Sequence, residues 1–353
     1  GSSRNPWALG IFGARRRRSS FGGYALSISL DVFEKTLRGF FAPIGTLLAD
    51  ETVSEIFINR YDEVYVDRDG ALEKADARFD SEMDLVAALT NLAQSVGKTL
   101  GPRTPVLEAS LPDGARLEAV LPPAAVQGPC AVIRCARDRD FALESFFAEQ
   151  PRAQEALAYV GGVIANKYGV LVCGSRRSGK TTLVRALLST ASPTHRLITI
   201  ERCVELVPKA LHVVQLSAND SDTPATDGAS VGELLRTALR MRPDCLALGD
   251  LRAGEAFELI RSMESTTSGF IATVCASRPV DALSAVEAMS LEARPTLSMD
   301  VLGRSIASAI DVIVQTVRCS DGCRRVARIV EVEGWTSDSG YTLCDRFEGE
   351  QLR

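Results

Sequence analysis

The residues with the clearest chemistry are Gly174-Ser175-Arg176-Arg177-Ser178-Gly179-Lys180-Thr181, followed by Thr182. Two glycines separated by four residues and followed by Lys-Thr have the spacing of a phosphate-binding loop. The glycines let backbone N–H groups turn inward around an anion, and a helix opening at the loop points its positive end at the same charge. In such a loop Lys180 reaches the β- and γ-phosphates of a nucleotide, and Thr181 offers its hydroxyl to Mg²⁺. Arg176 and Arg177 add positive charge beside the phosphates. Phosphoryl chemistry also needs carboxylates on neighbouring strand ends, to hold metal-bound water and to polarise the nucleophile. Glu201 follows Leu197-Ile198-Thr199-Ile200, and Asp250 follows Cys245-Leu246-Ala247-Leu248-Gly249. Each closes an apolar run that would deliver it to the carboxyl edge of a sheet. A lone acid after a buried strand is often a helix cap or a surface charge; two of them downstream of one phosphate loop favour a site.

These side chains need a scaffold of strands and helices. Gly169-Val170-Leu171-Val172-Cys173 reads as a strand leading into the loop, and the run to Leu188 reads as the helix leaving it. The second half alternates apolar strands with helices, the texture of a mostly parallel α/β sheet. Strands are expected at Val170–Cys173, Leu197–Ile200, Val213–Leu216, Cys245–Leu248, Phe270–Val274 and Val312–Thr316. Helices are expected at Thr181–Leu188, Val231–Arg240, Glu255–Met263 and Pro279–Ala288, with a polar loop from Ala218 to Gly228.

The first half has a mixed α+β texture. Leu85, Leu89, Leu92 and Val96 repeat at helical spacing, and Asp69-Gly70 marks a hairpin between Val64-Tyr65-Val66 and Ala71-Leu72. Pro112-Asp113-Gly114 turns into a strand from Ala115 to Leu121, and Ala131-Val132-Ile133-Arg134 begins another. The domain organisation expected is a disordered basic tail over 1–25, an α+β domain over 26–140, a linker over 141–156 and a nucleotide-binding domain over 157–353.

Composition narrows the partners. A net charge of −5 over 353 residues gives no global attraction to nucleic acid or acidic lipid. No run of about 18 apolar residues predicts a membrane span. Near the start, Trp7 to Phe12 precedes Arg15–Arg18, the reverse order of a secretory signal. The nine cysteines are odd in number and mostly lie in apolar segments, which suits reduced thiols in a cytoplasmic core. Cys319 and Cys323 bracket Ser-Asp-Gly at an expected hairpin tip and could meet across it. With two histidines in the chain, a zinc site is not expected. Arg236, Arg240 and Arg242 lack stacking aromatics nearby, so a phosphate-facing or inter-subunit role is preferred to nucleic acid.

Four further segments carry a family resemblance: Leu111-Pro112-Asp113-Gly114-Ala115-Arg116, Ala238-Leu239-Arg240-Met241-Arg242-Pro243-Asp244, Gly249-Asp250-Leu251-Arg252-Ala253-Gly254-Glu255-Ala256 and Ile306-Ala307-Ser308-Ala309-Ile310-Asp311. From about Leu47 to Phe347 the chain resembles the secretion-superfamily ATPases of type II and type IV secretion and type IV pili. It is most similar to the Tad (Flp) pilus branch, often called CpaF or TadA. The resemblance implies a RecA-like C-terminal domain, a smaller N-terminal domain and ATP or ADP with Mg²⁺ in the cleft between them. It further implies a homohexameric ring, cytoplasmic and peripheral at the inner membrane, that works a membrane platform protein there. Thr199-Ile200-Glu201 matches the family's Asp box, Gly249-Asp250 its Walker B end and Ala272 to Ala276 its His box. Arg116, Arg134, Arg240 and Arg242 match arginines near the phosphates or at domain and subunit junctions.

The departures from the family fall in the hydrolytic boxes. Arg202 follows Glu201 where Asp is usual, Asp250 replaces Glu, Cys275 replaces the His-box histidine, and Thr266-Thr267 stands for Gly-His. Cys135 also follows Arg134 where a second arginine is common. A carboxylate drawn back by about 1.5 Å, one C–C bond, misplaces a catalytic group, and such misplacement can cost about 100-fold. Arg202 would be placed to neutralise Glu201. Two readings stay open: a slow motor ATPase in which Glu201 or Asp250 positions water, and an inactive pseudo-ATPase acting as a structural or regulatory ring subunit, alone or beside an active paralogue.

Overall fold

The computed structural model describes residues 39–349 apart from 69, 112, 113, 136–141, 149, 209, 219–228, 253, 265 and 320. The basic tail expected over 1–25, Asp69 and Pro112-Asp113 of the two expected turns, and all but Ala218 of the polar loop lie outside the described residues. The chain divides into two compact units, Gly1–Asp138 and Arg139–Arg353.

In the first unit a short helix, α1 (Gly45–Ala49), precedes the hairpin strands β1 (Val53–Arg60), β2 (Glu63–Arg68) and β3 (Ala71–Lys74). Helix α2 (Glu82–Ser95) follows, then β4 (Val106–Ser110), β5 (Arg116–Val120) and β6 (Cys130–Arg134). The strands form one sheet in the order β3-β2-β1-β6-β5-β4, and every neighbouring pair is antiparallel. Ser81 caps α2 by accepting the Asp84 N–H at 3.2 Å. Leu85, Leu89 and Leu92 form one stripe of that helix and share a core with Ile56, Ile58, Leu117 and Ile133.

The second unit opens with helix α3 (Ala153–Ala165), then strand β7 (Gly169–Gly174) and helix α4 (Lys180–Leu188). Next come β8 (Leu197–Glu201), β9 (Val213–Ser217), α5 (Val231–Arg240), β10 (Cys245–Asp250), α6 (Gly254–Met263) and β11 (Gly269–Cys275). Helices α7 (Pro279–Ala293) and α8 (Met299–Ala309) lead to β12 (Val312–Arg318), β13 (Arg324–Thr336) and β14 (Gly340–Glu348). The sheet order is β14-β13-β12-β7-β11-β10-β8-β9. From β12 to β9 neighbouring strands run parallel, while β13 and β14 fold back antiparallel.

All six residues of β7 are buried, because helices cover both faces of the sheet. Val170 and Val172 share a core with Leu183, Val184 and Leu187 of α4, whereas Leu171 and Cys173 share the opposite core with Leu259, Leu283 and Leu302. Ser230 and Glu233 close a reciprocal capping box at the start of α5.

Helices α3 and α8 and the hairpin β13–β14 go beyond the expected elements. Residues 141–156, expected to be a linker, contain a 3₁₀ turn at Leu143–Phe147 whose Leu143, Phe146 and Phe147 are buried with the second unit's core.

Candidate functional site

The phosphate loop sits where β7 meets α4, in the middle of the second unit's sheet. Gly174 ends β7 in register with Cys275 of β11 and bridges Ala276. A Cβ on Gly174 would fall on the hydroxyls of Ser178 and Thr316, so only glycine lets the loop close here. Gly179 is the N-cap of α4 with φ 96°, a conformation costly for any residue with a Cβ. The N-terminus of α4 has no side-chain cap and no acidic residue in its first turn. Its N–H groups therefore face the loop with the positive end of the helix behind them.

Side chains brace this loop from two directions. Lys180 Nζ donates to the carbonyls of Gly174 and Ser175, each at 2.9 Å. Ser178 Oγ and Thr316 Oγ1 are 2.8 Å apart, both fully buried, and Thr316 Oγ1 donates onward to the Cys173 carbonyl at 3.3 Å. Arg324, at the start of β13, lies against Gly179 and brings Nη1 to 3.5 Å from Thr182 Oγ1. Burial pushes the Cys173 thiol, on the strand beneath, up to about 12. Ser175, Arg176 and Arg177 are exposed at the rim, and Arg177 adopts φ 64°.

Parallel strands bring the carboxylates and Cys275 to the same sheet edge as the loop. Cys275 ends β11, next to β7, and is exposed. Asp250 ends β10, two strand spacings or about 10 Å across the sheet, and Glu201 ends β8 at about 14 Å. A register shift after Leu248 turns the end of β10, and the Asp250 side chain is half exposed, with Oδ2 3.9 Å from Arg252 Nε. Glu201 is only 4% exposed, and its carboxylate accepts the backbone N–H groups of Glu205 and Leu206 at 3.0–3.2 Å. It thus holds the loop that follows its own strand. The Arg202 guanidinium, expected beside Glu201, pairs with Glu255 at the start of α6 and donates to the Asp250 carbonyl at 3.4 Å. It ties the end of β8 to the turn after β10.

Other sequence-singled residues stand elsewhere. Thr266 and Thr267 precede β11, so they lie at the amino edge of the sheet, a strand length of about 20 Å from the phosphate loop. Thr267 therefore does not belong with Cys275, Asp250 and Arg202 as a change in one site, because a parallel strand delivers only its carboxyl end to the loop. Arg240 ends α5 and donates to the Arg236 carbonyl at 3.0 Å, and Arg242 follows with φ 56°. Both precede β10 and so sit at the amino edge as well.

The aspartates of the same motifs are staples of that edge. Asp244 accepts Lys167 Nζ at 2.6 Å and the Arg196 N–H at 2.8 Å, contacts that hold its carboxyl below the usual carboxylate range. Asp311 accepts the Gly169 N–H at 2.7 Å while its own N–H donates to the Gly169 carbonyl at 2.9 Å. In the first unit, Arg116 and Arg134 face each other directly across β5 and β6, and Arg134 also faces Glu55 on β1.

The sequence reading missed Thr316, Arg324 and Gln315, whose Nε2 donates to the Ser277 carbonyl at 2.7 Å. Their signal was a polar Gln-Thr pair inside the apolar run Val312 to Val317, a hint of strand side chains aimed at something polar. The uncapped α4, the glycine closure at Gly174 and the adjacent ammonium of Lys180 fit a nucleotide's phosphates. Thr181, in the first turn of α4, and Asp250, at the end of β10, carry side-chain oxygens of the kind that Mg²⁺ takes.

Comparison with known proteins places this geometry. A family model described as type II/IV secretion system protein matches residues 40–350. A putative conjugal transfer protein of Mycobacterium tuberculosis is 30% identical over 325 residues, covering 88% of this chain and 91% of its own. The type IV secretion system protein VirB11 of Bartonella quintana is 31% identical over 316 residues, covering 78% of this chain and 87% of its own. Among solved structures, the ATPase DotB of Legionella pneumophila aligns with a TM-score of 0.55 at 17% identity, over 87% of this chain and 82% of that one. That likeness speaks for the fold, an N-terminal domain followed by a RecA-like C-terminal domain.

Proposed function

The chain belongs to the type II/IV secretion system protein family, and from that membership we propose that it is the nucleotide-binding motor subunit of a type IV secretion or Tad-type pilus apparatus. The observation that carries the reading is the braced phosphate loop. An uncapped helix, a glycine closure and Lys180 meet on the buried central strand, with Asp250 and Glu201 at the same sheet edge. Lys180 and the loop N–H groups bind the β- and γ-phosphates of ATP, and Thr181 with Asp250 holds Mg²⁺, which neutralises phosphate charge when bound. Arg176 and Arg177 close over the rim. Glu201 acts as a positioning residue, because its carboxylate shapes the turn after β8. Arg116, Arg134, Arg240 and Arg242 act at domain or subunit junctions of a hexamer. That ring works at the cytoplasmic face of the inner membrane on a platform protein.

Hydrolysis in this reading is slow. Asp250 is one methylene shorter than the glutamate that the resemblance leads one to expect, and Cys275 cannot reproduce a histidine's hydrogen bonds. A second reading, an inactive ring subunit, is favoured by the engagement of Glu201 with two backbone amides. Steady-state phosphate release with a Lys180→Ala control separates the two. Slow turnover abolished in the variant supports the motor, whereas ATP binding without turnover supports the inactive subunit. Asp250→Glu with Cys275→His is expected to raise turnover. Arg202→Asp is left out of that pair, because it would set a second carboxylate against Glu255. Mass in solution with and without ATP tests the ring.

A further inference from the structure

A second concavity lies between the starts of α5 and α6 and the end of α7, with a volume of about 360 Å³. Arg202, Arg236, Arg252 and Arg294 line it together with Glu255 and Glu258, and no residue of the phosphate loop takes part. Two of these arginines are matched: Arg202 by Glu255 and Arg236 by Glu258, the latter at 3.1 Å. The other two are held more loosely. The Arg252 guanidinium has only a long ion pair, with Nε 3.9 Å from Asp250 Oδ2 and so beyond hydrogen-bond reach, and its side chain is 54% exposed. Arg294 is exposed and packs its guanidinium over the ring of Phe257, 5.7 Å from the centroid, a contact that fixes the plane of the fork while leaving its edge free.

The cavity lining thus carries four arginines against two glutamates, and the Arg294 guanidinium is oriented by Phe257 while Arg252 has only its long pair with Asp250. We propose that it binds a soluble, phosphate-bearing small molecule, held between Arg252 and Arg294, at a site separate from the nucleotide loop. A phosphate monoester carries close to two negative charges and three acceptor oxygens, enough to satisfy both forks, whereas a single carboxylate neutralises one. The volume is at the small end of the range for small-molecule sites. Among the described residues, none of the exposed large apolar side chains lines the cavity, which favours a soluble ligand over a bilayer. The matched pairs contribute by fixing the walls: Arg202–Glu255 anchors the turn carrying Arg252, and Arg236–Glu258 joins α5 to α6.

Inorganic pyrophosphate is the probe, measured by titration calorimetry on the full chain carrying Lys180→Ala, which weakens the loop's own hold on phosphate. One remaining pyrophosphate site is expected. Arg252→Gln or Arg294→Gln should each weaken it about 10- to 100-fold, the worth of a charged hydrogen-bonding partner. Arg294→Lys should recover only part of the loss, since an ammonium keeps the charge without the fork. Unchanged thermal midpoints would show that the variants fold. No pyrophosphate binding in the Lys180→Ala chain overturns the proposal, as does binding that survives both glutamine substitutions. A ten-residue oligoglutamate that displaces pyrophosphate at lower concentration would overturn the phosphate assignment. Loss of ATP binding on Lys180→Ala alone reads the loop, so the two sites fail independently.

Discussion

Replacing Thr316 with valine removes one oxygen from beneath the phosphate loop while keeping the shape of the side chain. The hydroxyl is 1% exposed and links two partners, Ser178 Oγ at 2.8 Å and the Cys173 carbonyl at 3.3 Å. Ser178 is fully buried, so its hydroxyl loses this partner where water cannot take its place. Stranding one buried polar group costs about 1–3 kcal/mol and losing a neutral hydrogen bond about 1 kcal/mol, so Thr316→Val should destabilise the second unit by about 2–3 kcal/mol. Ser178→Ala should cost about 1 kcal/mol, because Thr316 keeps its bond to Cys173. The double variant should cost less than the two singles together, with a coupling of about 1 kcal/mol. Urea unfolding in a Trp7→Phe background, with Trp335 the one remaining tryptophan, reads the second unit directly. If half of the cost appears as loosening of the loop, ATP affinity falls about 5- to 10-fold. An unchanged urea midpoint for Thr316→Val, or strict additivity with Ser178→Ala, would refute the bracing role.

Three further outcomes follow from the packing and the charges. Hydrogen bonds from Thr52 and Arg68 hold the Asp50 carboxyl down to about 2, so this group stabilises the native state above its ordinary range of about 4 and loses that contribution as pH falls toward 2. Asp50→Asn should therefore unfold earlier than the parent at pH 7, with the gap closing between about pH 4 and pH 2 in a thermal melt. Burial pushes the Asp311 carboxyl up, so the native state binds its proton more tightly than the unfolded chain does. Asp311→Asn keeps an acceptor for the Gly169 N–H and should raise the urea midpoint at pH 7, a gain that shrinks as pH falls toward about 4. Gly303 of α8 lies under the Trp335 indole, whose Nε1 would be 2.6 Å from an added Cβ. Gly303→Ala gains about 1 kcal/mol of helix propensity but overpacks by more, so a net loss of about 1–2 kcal/mol is expected in calorimetry.

The buried parallel strands were legible because each is a short apolar run bounded by turn residues. Expected Val170–Cys173, Cys245–Leu248 and Phe270–Val274 became Gly169–Gly174, Cys245–Asp250 and Gly269–Cys275. The antiparallel hairpin β13–β14 was not legible. Arg324 to Thr336 intersperses arginines and glutamates with apolar residues and is half exposed, so no clean alternation marks it. Helix α8 escaped for a related reason: Gly303, Ser305, Ala307 and Ser308 are small and give little apolar periodicity. In the site, loop spacing and strand-end carboxylates were local patterns and could be read. The bonds of Thr316 and Glu201 depend on which strands become neighbours and how a turn folds back, and no local pattern encodes that. Grouping Thr267 with Cys275 failed because the two are eight residues apart on one strand and its lead-in, at opposite edges of the sheet.

The position of β12 beside β7 gives the phosphate loop an order of assembly. Its glycines and lysine lie about 140 residues ahead of the groups that brace it, Thr316 and Arg324. A nascent chain can therefore form the loop's sequence long before it can form the loop's floor. Closing so long a connection is slow and entropically costly, which places completion of the nucleotide site late in folding. ATP, by favouring the finished site, would favour chains in which β12 and β13 have docked against it.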